Sequence, residues 1–88
     1  MEKYIGTYLP TGQNNIFDVR KEGNSMKIST DGFISNLYPI GEKKFYILYK
    51  EQINSIFEIE FIKDESNKVT KMNISKDGNV VLESQRIK

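Results

Sequence analysis

The sequence predicts an all-β fold, an eight-stranded antiparallel up-and-down barrel with a filled interior, and three observations carry that expectation. Apolar residues recur with period two in eight short runs. Gly, Asn, Asp and Pro separate the runs, and every connection is of hairpin length. No ten-residue segment shows helical spacing with caps, although residues 1–4 suit a short helical turn. A meander that closes on itself leaves no exposed strand edge, which favours a barrel over the alternative two-sheet sandwich.

The first run, residues 4–9, stops at Pro10, and a polar loop at 11–15 leads to the second at 16–21, where Phe17 and Val19 alternate with Asp18 and Arg20. Glu22, Gly23 and Asn24 turn the chain into 25–30, with Met26 and Ile28 on the apolar side and Lys27 and Ser29 on the wet side. Asp31 and Gly32 close a tight hairpin, because both residues accept the positive φ of a primed two-residue turn. The fourth run, 33–38, ends at Pro39. The fifth, 43–49, is apolar on both sides: Phe45, Ile47 and Tyr49 share one face, Tyr46 and Leu48 the other. After a loop at 50–54, the sixth run, 55–63, sets Phe57, Ile59 and Phe61 against Glu58 and Glu60. The seventh, 68–75, follows a polar turn at 64–67 and places Thr70, Met72 and Ile74 on one side. A second turn, Asp77 and Gly78, leads to the eighth, 79–86, with Val80 and Leu82 as the inward pair. Strands of about six residues span only about 20 Å, so the interior is expected to be filled.

Composition narrows the function classes. The 88 residues make one domain, 1–88, and 28% charged against 38% hydrophobic residues is the balance of a folding chain. The net charge is +1, with Lys scattered between Asp and Glu, so neither nucleic acid nor an anionic membrane is an expected partner. Cys and His are both absent, which removes disulfides, thiolate chemistry, the usual zinc ligands and the usual general base. No Ser is followed three residues later by Lys, so the lysine-assisted serine nucleophile is missing as well. The domain is expected to be no enzyme and to carry no cofactor. Residues 1–8 lack the long apolar core of a signal peptide, and no window has the apolar length of a membrane span.

Four constellations have weak chemical readings. Glu58 and Glu60 share a strand face about 7 Å apart, a spacing open to paired carboxylates, yet they form the solvent side of an amphipathic strand. Asp64, Glu65, Ser66 and Asn67 resemble the start of a calcium loop but lack its glycine and closing glutamate, and read better as a turn. Lys43, Lys44, Phe45 and Tyr46 interleave basic and aromatic residues as a single-strand nucleic-acid platform does, without a second basic cluster to support it. Asn73, Ile74 and Ser75 match the glycosylation sequon inside a predicted strand. The more informative surplus is Tyr46 and Leu48 with Tyr38, an outward apolar set that is either covered by a neighbouring segment or is an interface for another domain.

Tyr4 and Tyr8 point to one face with Gly6 between them, and the glycine leaves room for a ring or backbone to cross the strand closely. This opening resembles the first strand of a domain-of-unknown-function family found C-terminal to β-lactamase-related serine hydrolases and described as lipocalin-like. The step from Gly6 to Tyr8 is also similar to the Gly-x-Trp of lipocalin first strands. The resemblance continues through Leu37, Tyr38, Pro39 and Phe45, then Phe57 to Phe61, Asp64 and Lys68 to Thr70. It implies a lipocalin-like barrel that is a non-catalytic accessory domain of a bacterial serine hydrolase of the β-lactamase or penicillin-binding-protein type. The barrel would pack on the catalytic domain of the same chain, be extracytoplasmic if so attached, and be a monomer in isolation. The hydrolase itself is not among these residues. The alternative is a free-standing lipocalin-like module that binds a small ligand or another protein.

Overall fold

The structure is a computed structural model that describes residues 2–41, 43–48 and 56–88. A 3-10 helix, Glu2–Tyr4, precedes eight strands: β1 Gly6–Pro10, β2 Phe17–Glu22, β3 Ser25–Thr30, β4 Phe33–Pro39, β5 Lys44–Leu48, β6 Ile56–Lys63, β7 Val69–Lys76 and β8 Asn79–Arg86. Each strand pairs antiparallel with the next, and β1 pairs with β8, so the sheet closes into an up-and-down barrel consistent with a lipocalin-like one. The expected fold class is what the chain adopts. Tyr49, Ser55 and the loop at 50–54 lie outside the described residues.

Hairpin chemistry fixes the register. Asp31 and Gly32 (φ 40° and 84°), and Asp77 and Gly78 (φ 53° and 83°), both take the left-handed conformations of primed turns. Inward residues then alternate along the strands except at two bulges in β7 and β8, and Tyr4, Tyr8, Val19, Met26, Ile28, Leu37, Phe45, Ile47, Ile59, Phe61, Val69, Met72 and Ile74 make one continuous core.

Three local expectations are corrected. β1 does not stop before Pro10 but runs through it, with Pro10 buried opposite Ser84. Thr11 donates its N–H to the Glu83 carbonyl at 2.9 Å, so the pair below it is a non-hydrogen-bonded one that does not need the donor proline lacks. Thr70 is not on the core face. Lys63 faces Val69 while Ile62 faces Lys71, so Thr70 is the extra residue of a bulge, and Val69 takes the buried place. Val80 is not inward either: a second bulge at Val81 sets Ser75 opposite Val80 and Ile74 opposite Leu82, leaving Val80 51% exposed.

The filled interior belongs to one end. There Tyr4 stacks on Phe61 with ring centroids 4.6 Å apart, and Phe45 meets both rings edge-on at 5.7 Å. Tyr8 leans on Phe61 from above at 5.8 Å. Aromatic contacts of this kind add about 0.5 to 1.5 kcal/mol each beyond the area they bury. The Tyr8 hydroxyl donates to the Tyr4 carbonyl at 2.8 Å, which ties the helical turn into the plug.

Candidate functional site

Among the described residues, the opposite end of the barrel carries a recess, and the strand order explains its lining. In an up-and-down barrel, alternate connections lie at the same end. The inward residue that follows the first, third, fifth and seventh connections therefore sits at a common mouth. Those residues are Phe17, Phe33, Phe57 and Leu82, all partly buried against the core. With Ile47 and Ile74 beneath them they line a recess of about 480 Å³. Such a volume lies within the range of about 300 to 1,000 Å³ that holds small molecules.

The rim is polar, formed by Gln13, Asn15, Thr30 and Asp31. Thr30 donates its hydroxyl to the Ile16 carbonyl at 2.8 Å, which fastens the β1–β2 connection to β3 at the edge of the recess. The Lys76 ammonium lies 5.4 Å from the Phe57 ring centre, a cation over one wall. An apolar floor with a ring of neutral and charged groups above it suits retention of an apolar body with its polar end toward water. Among the described residues, no group of three His, Cys, Asp or Glu side chains is placed to hold a metal ion.

The candidate interface residues are elsewhere, on the outer wall. Tyr38 and Tyr46 are cross-strand partners whose rings stack at 4.9 Å, 22° from parallel. Leu48 lies opposite Ile56, and the two are 46% and 50% exposed. The three predicted residues thus share one outward face, and Ile56 joins it. No segment among the described residues covers Leu48. The tyrosine pair also has a structural part: in the described residues, β4 and β5 pair only at Tyr38–Tyr46 and Pro39–Phe45, whereas β5 and β6 pair along five positions.

No family model, curated protein or solved structure matches the chain. The geometry carries the functional reading.

The remaining constellations resolve simply. Glu58 and Glu60 point outward opposite Tyr46 and Lys44. Asp64 is a turn residue whose Oδ1 accepts the N–H groups of Ser66 at 2.8 Å and Lys68 at 3.0 Å. Phe45 is buried in the core, so the basic–aromatic run presents Lys44 and Tyr46 without it. Asn73 is half-buried within β7, its side-chain oxygen out of reach of solvent.

One residue central to the closed end was not legible in the sequence. Arg86, near the end of β8, donates from Nε to Lys88 O (3.0 Å), from Nη1 to Lys3 O (3.3 Å) and Val69 O (3.2 Å), and from Nη2 to Ile5 O (2.8 Å). The signal was its parity: Leu82, Ser84 and Arg86 alternate inward, and an arginine ending such a series is a cap rather than a wall. Burial pushes the Tyr8 phenol up to about 12, against the nearby Arg86 charge, which acts downward.

Proposed function

We propose that the protein is a non-catalytic binding module that holds a small apolar ligand in the open end of its barrel. The observation that supports this reading is the asymmetry of the interior. Four aromatic rings plug one end, while at the other Phe17, Phe33, Phe57 and Leu82 border a recess of about 480 Å³ instead of filling it. Leaving such residues partly wet forgoes burial worth about 25 cal/mol per Å², which a ligand would recover. The test is fluorescence titration with N-phenyl-1-naphthylamine, an uncharged apolar probe. The chain has no Trp to interfere. Saturable blue-shifted emission that is lost in the double variant Phe57→Ser/Leu82→Ser, and kept in Tyr46→Ser/Leu48→Ser, supports the recess. Emission unaffected by the first pair of changes refutes it.

A second reading rests on the outer patch of Tyr38, Tyr46, Leu48 and Ile56 together with the resemblance of the strand sequences. On this reading the barrel is an accessory domain of a bacterial β-lactamase-related serine hydrolase and packs on that catalytic domain through the patch. Sequencing the coding region upstream of Met1 tests it. An in-frame segment with a Ser-x-x-Lys nucleophile motif favours the accessory domain, and a stop codon directly upstream opposes it.

A further inference from the structure

A separate feature lies at the closed end, where the β6–β7 turn meets the N-terminal helical turn. Lys3, Ser66, Asn67, Lys68, Val69 and Arg86 line a second, shallow recess of about 470 Å³ that opens to the surface. Its lining carries three positively charged side chains, and no acidic side chain among the described residues lines it. An adjoining recess shares Lys68, Val69 and Arg86 and brings in a fourth cation, Lys88. Of the two carboxylates in the turn, Asp64 and Glu65, Asp64 is turned back on its own loop, where Oδ1 is held by the N–H groups of Ser66 and Lys68. Asn67 has a left-handed backbone (φ 66°), which closes the turn beside the two lysines. The guanidinium of Arg86 is fixed rather than free, since four backbone carbonyls orient it.

We propose that this recess is a binding site for a phosphate-type oxyanion. Arg86 supplies a preoriented positive charge, and the Lys3 and Lys68 ammonium groups close on the anion from either side of the turn. The Ser66 hydroxyl and Asn67 amide supply neutral donors. The anion's source is either a free phosphate or the phosphate of a lipid headgroup, which present the same chemistry to these groups.

The experiment follows backbone and Arg Nε–H signals of the ¹⁵N-labelled protein at low ionic strength while inorganic phosphate is added against a matched chloride control. The site predicts saturable shifts at Lys3, Ser66, Asn67, Lys68 and Arg86, and weakening by about tenfold in Lys3→Gln/Lys68→Gln, given the modest worth of each exposed charge. Both lysines are exposed, so this variant keeps the fold, which its amide spectrum checks directly. In parallel, cosedimentation with phosphatidylglycerol and with phosphatidylcholine vesicles distinguishes the sources. Binding to phosphatidylglycerol vesicles alone, lost in the same variant, with unsaturated shifts in free phosphate assigns the headgroup; saturation by free phosphate without vesicle binding assigns the free ion. Shifts that follow ionic strength alone, or that the double substitution leaves unchanged, with no vesicle binding, overturn the site.

Discussion

Arg86 occupies the space that a side chain at Gly6 would take. A Cβ at Gly6 would stand 2.8 Å from Arg86 Nε and 2.5 Å from the Lys88 carbonyl oxygen. The glycine between two tyrosines therefore exists to let the last strand cross the first: Thr7 and residues 87–88 exchange backbone hydrogen bonds, Ile87 N to Thr7 O at 2.8 Å and Thr7 N to Lys88 O at 3.3 Å. Because one of the close atoms is backbone, the clash cannot be relieved by a rotamer change. Gly6→Ala is expected to lower stability by about 1 to 3 kcal/mol, as overpacking does. Arg86→Gln, which leaves carbonyls of the cap unpaired, is expected to lose about 1.5 to 3 kcal/mol. Urea denaturation measures both; a midpoint unchanged in either variant would separate that residue from barrel closure.

Tyr8 makes the closed end sensitive to alkali. Its phenol is raised from 10.0 to about 12 by burial, so the folded state holds the proton more tightly than the unfolded chain does. The stability this provides is complete below pH 10 and is lost as pH rises from about 10 to 12. In Tyr8→Phe the decline over that window should flatten, and the missing bond to Tyr4 O should lower stability near neutrality by about 1 kcal/mol. Melting curves from pH 7 to 12 check both effects; an equally steep alkaline decline in Tyr8→Phe contradicts the assignment.

Phe61 and Phe57 lie on one face of β6 but at opposite ends of the interior. Phe61 is fully buried among Tyr4, Tyr8 and Phe45, so Phe61→Ala should cost about 3 to 5 kcal/mol and can unfold the chain. Phe57 borders the recess and is only partly buried, and Phe57→Ala should fall well below that range. Equal losses in denaturant titration would mean that the open end is packed as tightly as the closed one.

Along the outer wall, the tyrosine pair and Leu48 should separate in the same way. Tyr46→Ala removes the ring stacked on Tyr38 across the short β4–β5 pairing, and about 1 kcal/mol of stability is expected to go with it. Leu48→Ser, at a side chain 46% exposed, should stay within about 0.5 kcal/mol. Thermal melting of the two variants decides; a large loss in Leu48→Ser would make that residue part of the core.

The period-two pattern and the two Asp-Gly turns made the meander legible, since each strand needs only local information to choose its inward face. The bulges at Thr70 and Val81 were not legible, because a bulge shifts the phase through pairing with a neighbouring strand and leaves no local mark in an apolar run. Phe17, Phe57 and Leu82 were readable as inward, but not as members of one mouth. That follows from which end each connection occupies, a property of the closed barrel. Arg86 stayed hidden because its partners are backbone carbonyls from residues 3, 5, 69 and 88, which no spacing rule brings together.

The central claim is that the open end, rather than the outer wall, is where this barrel binds. The most direct test is a methyl- and aromatic-resolved NMR titration of the intact chain with N-phenyl-1-naphthylamine. The claim predicts saturable shifts at Phe17, Phe33, Ile47, Phe57, Ile74 and Leu82, with Tyr4, Phe45 and Phe61 unmoved. Shifts concentrated on Tyr38, Tyr46, Leu48 and Ile56, or no saturable shift at all, would contradict it.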